Sequence, residues 1–198
     1  EGFLFWIIAL SIVLAGIIVG AIAIGSTYIE PGEVYKVLLS KLSNGVLFGD
    51  AGTDMTQSII WEIRLPRVLL GAICGAGLAI CGVLMQCVTK NPIAEPYILG
   101  ISSGASCGAV GVIVLGGISA IGINSISVGA FVGSILSGVL VFAIGTQMGK
   151  TTSTTRLVLS GMAISTIFSA LTNLLIYSAD NSNQAKNALF WTIGSLGG

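Results

Sequence analysis

Residues 3–25 read FLFWIIALSIVLAGIIVGAIAIG, a run without a single charged side chain. A helix of roughly 20 apolar residues crosses the hydrocarbon of a bilayer, which is about 30 Å thick. The run is too long for the apolar core of a secretory leader, which holds about 7–15 residues. Similar stretches recur near residues 66–88, 98–117, 126–148 and 157–179. None of the five carries an internal Asp, Glu, Lys, Arg or His. Lipid offers no hydrogen bonds to the backbone, so each stretch must close its own bonds as a helix.

Composition agrees with this reading. The chain of 198 residues is 54% hydrophobic and 8% charged, and its mean hydropathy is +1.00. Globular domains carry about 25% charged residues. The sequence therefore predicts an all-α, polytopic transmembrane helix bundle of about five spans, not a soluble domain. Residues 1–198 read as one transmembrane domain.

The connections are predicted as follows. In residues 26–65, Pro31-Gly32 starts a turn, and Val34, Val37, Leu38 and Leu42 recur at helical spacing. A short interfacial helix that ends at Asn44-Gly45 follows from this pattern. Residues 49–57 read as loop. Pro66 suits a first helical turn, where its missing N–H costs nothing. Residues 89–97, TKNPIAEPY, and 149–156, GKTTSTTR, are short polar loops. Glycine pairs of the GxxxG type occur at Gly16/Gly20, Gly71/Gly75, Gly104/Gly108, Gly129/Gly133 and Gly145/Gly149. Such pairs let helix backbones approach closely. The third span, rich in Gly, Ser and Ala, is expected inside the bundle.

Several chemistries are excluded. Net charge is zero and no basic run exists, so nucleic acid is not a partner. There is no histidine, and Cys74, Cys81, Cys87 and Cys107 fit no zinc spacing. They read as small hydrophobes. No metal or other cofactor is called for. Proton-coupled carriers and pumps place ionisable groups along their path, and these spans have none. Gly149-Lys150-Thr151 looks like the tail of a phosphate-binding loop, but Ile144 stands where that loop needs glycine. With no nucleophile–base pair either, the chain is not read as an enzyme. The uncharged polar groups in the spans are Ser102, Ser103, Ser106, Ser160, Ser165, Thr166, Ser169, Thr172 and Asn173. They suit interhelical hydrogen bonds or a weakly polar lining for a large solute.

Three segments carry a resemblance. Arg64-Leu65-Pro66-Arg67 is followed by LLGAICGAGLAICGVLMQ. Asn91-Pro92-Ile93-Ala94-Glu95-Pro96 is followed by Ile98-Leu99-Gly100-Ile101-Ser102-Ser103-Gly104-Ala105. Ser153-Thr154-Thr155-Arg156-Leu157-Val158-Leu159-Ser160-Gly161 is followed by Phe190-Trp191 and Gly194-Ser195-Leu196. In this order they closely resemble the permease subunits of ABC importers for ferric siderophores, haem and vitamin B12, over roughly residues 60–198. The resemblance implies half of a ten-helix permease of the cell membrane, the N-terminal half. It implies a second permease subunit as homo- or heterodimer partner, a cytoplasmic ABC ATPase and an extracytoplasmic substrate-binding protein. ATP hydrolysis would belong to the separate ATPase. The N-terminus and the two short loops would face the cytoplasm, and residues 26–65 would face outward.

Site residues follow from the same resemblance. Arg64 and Arg67 would face the binding protein, where guanidinium forks suit carboxylates. Spaced three residues apart, both can share a helix face. Asn91, Pro92 and Ile93, with Thr154 and Thr155, would narrow the pore at its cytoplasmic end, and Gln86 would line it. A secondary carrier or channel without nucleotide is the alternative function, and a structural assembly subunit is a third. The chain opens at Glu1 without methionine and stops in a glycine-rich segment, so it reads as part of a longer protein.

Overall fold

The computed structural model describes residues 2–25, 27–49, 52–115, 125–146 and 154–195. Regular structure among them is helical throughout: α1 (Gly2–Ala23), α2 (Pro31–Leu42), α3 (Asp54–Ser58), a π-helical segment (Ile59–Arg64), α4 (Leu65–Thr89), a 3-10 turn (Pro96–Leu99), α5 (Ile101–Val114), α6 (Ser125–Thr146), α7 (Thr154–Tyr177) and α8 (Ser182–Ile193). Contacts divide the chain into two compact units, one reaching to Gly77 and the other covering Leu78–Ser195.

Four helical stretches are long and apolar enough to cross a membrane: Gly2–Ala23, Asp54–Thr89, Ser125–Thr146 and Thr154–Tyr177. They match four of the five expected spans, and the chain is a multi-pass membrane protein. The fifth, expected near 98–117, is shorter. Its α-helix has 14 residues, about 21 Å at 1.5 Å per residue. Gly100 adopts φ +67° between the 3-10 turn and α5, which breaks the helix there. Residues 116 and 117 lie outside the described residues.

Three further expectations are corrected. Residues 49–57 are not all loop, because the second span begins at Asp54. The Thr53 side chain accepts the Thr56 N–H at 3.3 Å, and Asp54 stands in the first turn. Both favour a helix start. Pro66 therefore lies within a longer helix rather than at its beginning. Proline cannot donate to the ladder and crowds the carbonyl four residues back. The wider π turns just before it accommodate this, and the Leu65 N–H reaches the Ile60 carbonyl, five residues away. The loop expected at 149–156 is shorter too: Thr154, Thr155 and Arg156 belong to the first turn of α7. Residues 147–153 lie outside the described residues.

In the first unit, α2 follows the predicted pattern. Val34 and Val37 are fully buried and pack with Ile22, Ala23, Ile29 and Ile60. The helix stops where expected. Asn44 and Gly45 take positive φ, and the Gly45 N–H returns to the Ser40 carbonyl at 2.8 Å.

In the second unit, α5 packs against α6, α7 and α8, so the glycine-rich segment does lie inside. The crossing of α5 and α6 is made of glycines. A Cβ on Gly108 would overlap the Gly129 carbonyl, and one on Gly104 would overlap the Gly133 carbonyl at 2.5 Å. A Cβ on Gly129 would meet the Gly108 oxygen at 2.8 Å. Only two of the five glycine pairs, then, form a mutual crossing among the described residues. Gly16, Gly20 and Gly75 have open space, Gly145 packs on Leu157, and Gly149 is not among the described residues. Val141, Leu157, Ile164 and Phe168 form the α6–α7 core. Val110, Val114 and Ala188 tie α8 to α5.

Candidate functional site

The helix break at Gly100 organises the second unit. Its carbonyl accepts the Gly104 N–H at 3.1 Å, the Ser103 hydroxyl at 2.8 Å and the buried Ser137 hydroxyl of α6 at 2.7 Å. Ser137 was not among the polar residues singled out from sequence, because nothing local distinguishes it from any other serine in an apolar helix. On the α7 side, Gly161 lets the Ile98 carbonyl come into direct backbone contact. The 3-10 turn is thereby held against α6 and α7.

This arrangement opens a recess of about 400 Å3 between the 3-10 turn, α5, α7 and α8. Its walls include Tyr97, Ser102, Ser103, Ser106, Ser165, Ser169, Thr172, Asn173 and Thr192. Seven of the nine polar residues picked out in the spans converge here. The exceptions are Ser160, which is buried, and Thr166, whose hydroxyl donates to the Met162 carbonyl of its own helix at 2.9 Å. Ser103 and Thr172 spend their hydroxyls on the backbone carbonyls of Gly100 and Phe168. Ser102, Ser106, Ser165, Ser169 and Asn173 make no side-chain hydrogen bond among the described residues. The recess thus presents unused hydroxyl and amide groups and no charge. Tyr97 and Thr192 are additions that sequence reasoning missed, since each lies outside the apolar spans.

The α4–α5 connection brings four of the expected gate residues together. Lys90 takes positive φ, the Lys90 N–H returns to the Cys87 carbonyl at 3.3 Å, and the Asn91 N–H returns to the Gln86 carbonyl at 3.2 Å. That pairing is the Schellman ending of a helix. The Asn91 carboxamide oxygen then accepts the Ile93 N–H at 3.0 Å, and the Gln86 amide donates to the Pro92 carbonyl at 3.0 Å. Asn91, Pro92 and Ile93 are exposed, Ile93 at 84%. An isoleucine so exposed offers apolar surface to whatever passes or packs there. Thr154 is half-buried and Thr155 exposed at the start of α7. No hydrogen bond joins them to the Asn91 turn among the described residues.

Arg64 and Arg67 are in the first unit and do share a face. Both line a recess of about 310 Å3 with Ala21, Ile24, Gly25, Thr27, Ile59, Ile63 and Val68. Their partners differ. Arg64 Nη1 donates to the Ile22 carbonyl at 2.6 Å and the Ala23 carbonyl at 3.0 Å, and Nη2 donates to the Thr27 carbonyl. Arg67 is exposed and makes no hydrogen bond or ion pair among the described residues. No group of three or more metal-ligating side chains occurs among the described residues.

Residues 9–198 match the FecCD transport family. The cobalamin import system permease protein BtuC of Halobacterium salinarum is 40% identical over 145 residues, covering 73% of this chain and 38% of that protein. The vitamin B12 import system permease protein BtuC of Escherichia coli is 32% identical over 197 residues, covering 98% of this chain and 52% of that protein. A solved structure described as an inward-facing metal-chelate type ABC transporter aligns with a TM-score of 0.61 at 30% identity, over 84% of this chain and 52% of its own. The chain spans about half the length of the E. coli relative, and less of the archaeal one.

Proposed function

We propose, from the premise that the chain belongs to the FecCD transport family, that residues 1–198 supply half the wall of an ABC importer's translocation path. The single observation that carries this is the uncharged, hydroxyl-lined recess between α5, α7 and α8. A large metal chelate or corrinoid carries many amide, carboxyl and hydroxyl groups around a bulky frame. A path with weak hydrogen-bonding groups and no fixed charge lets such a solute pass without trapping it. The solute class is a ferric siderophore, haem or a cobalamin, and the names of the similar permeases favour the last.

The recess presents no charged side chain along which a proton could pass, and ATP hydrolysis on a separate chain supplies the driving force. The partners are a second permease subunit, a cytoplasmic ABC ATPase and an extracytoplasmic substrate-binding protein. In this topology the N-terminus and the short connections read at 89–97 and 149–156 face the cytoplasm, and the 26–65 segment faces outward. Asn91, Pro92 and Ile93, held by Gln86, narrow the inner end together with Thr154 and Thr155. Arg64 and Arg67 belong to the surface that meets the binding protein.

The test is uptake into vesicles that hold the complete protein containing these residues, its ATPase and its binding protein. Accumulation of cobalamin or of a ferric siderophore should require both ATP and the binding protein. Uptake that persists without the ATPase would favour a secondary carrier or channel instead.

A further inference from the structure

Tyr97 belongs to two recesses at once. In the hydroxyl-lined one it is the single aromatic residue of the wall among the described residues. A second recess, of about 340 Å3, lies between α4, the 3-10 turn and α5. Its wall is almost wholly apolar and includes Leu78, Leu84, Met85, Pro96 and Ile101. Tyr97 and Ser102 line both. An apolar surface and a hydrogen-bonding surface therefore meet at this tyrosine.

The backbone that carries Tyr97 is fixed. Its carbonyl accepts the Gly100 N–H at 3.0 Å, and the Ile98 N–H returns to the Glu95 carbonyl at 3.3 Å. The turn also lies directly on Gly161 of α7, where a Cβ would overlap the Ile98 carbonyl and come within 3.0 Å of the Leu99 Cα. The Gly100 carbonyl holds the Ser137 hydroxyl of α6 at 2.7 Å. The side chain has no such tie. It is 55% exposed, its hydroxyl makes no hydrogen bond, and its ring stacks on no other ring among the described residues. A tyrosine on fixed backbone has only two side-chain torsions left to order, so contact with it costs little entropy. Its ring offers flat apolar faces, and its tip offers a hydrogen-bonding oxygen.

We infer that Tyr97 is a specificity-determining residue of the recess: its ring takes the flat conjugated part of the solute, while the serines and Asn173 take the amide or carboxyl groups at the solute's edge. This rests on the path reading above and narrows its solute class. A corrin, a porphyrin or a catecholate chelate has such a conjugated part. A ferric trihydroxamate, built on aliphatic chains, has none of comparable extent. The apolar recess beside Tyr97 extends the surface open to the conjugated part.

The experiment measures ATP-driven uptake into vesicles that hold the complete permease with its ATPase, at saturating cognate binding protein. The probes are cyanocobalamin, haemin, a ferric tris-catecholate and a ferric trihydroxamate, and at least one of the first three should be carried. Tyr97→Phe keeps the ring and is expected to carry it within about twofold of the wild-type rate. Tyr97→Leu is apolar but has no ring, and is expected to slow uptake about fivefold, the order of one lost aromatic contact. The melting temperature of each variant in detergent should stay near that of wild type, since the native side chain is exposed and unpartnered. Tyr97→Met takes the place of the leucine change should that protein fail to fold. If the trihydroxamate is carried as well, its rate should be the same in all of these proteins, and equal slowing of both solute types overturns the assignment. Uptake of the trihydroxamate alone also overturns it and leaves the importer standing. So does a Tyr97→Leu protein that carries solute like wild type, which would make the ring an anchor at the bilayer interface. A Tyr97→Phe protein slowed as much as Tyr97→Leu overturns it too, because the hydroxyl and not the ring would then be what the solute needs. Uptake of none of the four probes overturns the proposed function itself.

Discussion

Gly108→Leu is expected to destabilise the second unit by about 3 kcal/mol or more, the upper end of the range for overpacking a packed interior. The atoms in the way are backbone. A Cβ at Gly108 would overlap the Gly129 carbonyl and come within 3.2 Å of the Gly133 Cα. No rotamer change relieves such a clash, so α5 and α6 must separate. In lipid, helices associate through close packing and not through a hydrophobic drive, so a lost approach is a lost interface. The loss would spread, because Ser137 of α6 holds the Gly100 carbonyl at the break that shapes the recess. Thermal unfolding of the purified protein in detergent checks this. Gly138→Leu on α6, the helix that faces Gly108, where a Cβ meets nothing within 4 Å, is the control and should stay within about 1 kcal/mol of wild type.

The second large effect is on transport rather than stability. Ser169→Leu combined with Asn173→Leu puts two apolar side chains on one face of α7, four residues apart, where the native groups face the recess. Both positions are exposed, and neither side chain is hydrogen-bonded among the described residues. The helix should therefore fold as before, with a change in melting temperature of no more than a few degrees. Uptake should fall by at least about tenfold, since each hydrogen-bonding group lost along a path is worth roughly 1 kcal/mol and added bulk narrows the passage. Uptake at the wild-type rate in a folded protein would remove the recess from the path.

These two cases also mark what sequence could and could not reveal. The helical, membrane-spanning class follows from where the charges of Glu30 to Arg67 and Lys150 to Arg156 separate the apolar runs, because charge is costly in lipid and is rare in a spanning helix. The α2 helix was legible from the spacing of Val34 and Val37 and from its Asn44-Gly45 stop. The polar start at Thr53-Asp54 was not, because TDMTQS has too few apolar residues to display a period, and its helix is settled by a cap and by the ladder that follows. The break at Gly100 was hidden for a related reason: a glycine with positive φ and a glycine chosen for close packing are the same letter. Which glycine pairs cross depends on the facing helix, and that information is not local.

The candidate site divides similarly. The polar residues of α5 and α7 were visible as exceptions within apolar runs, and seven of the nine do meet at one recess. Their convergence depends on the Gly100–Gly161 approach, which only the fold reveals. The Gln86–Asn91–Pro92–Ile93 cluster was half legible, since Asn-Pro marks a turn, while the Gln86 bond to the Pro92 carbonyl belongs to the helix ending. The partners of Arg64 are backbone carbonyls, which carry no sequence signature at all.

The most direct measurement is chemical access to α7 during transport. With Cys74, Cys81, Cys87 and Cys107 replaced, single cysteines would be placed at Ser169 and Asn173 in the recess and at Ile167 on a different, exposed apolar face of the helix. A charged, membrane-impermeant thiol reagent should modify the two recess positions and block uptake, and transported solute should slow that reaction, while position 167 stays unreactive. Equal reactivity at all three, or modification of 169 and 173 that leaves uptake intact, would contradict a solute path along this face.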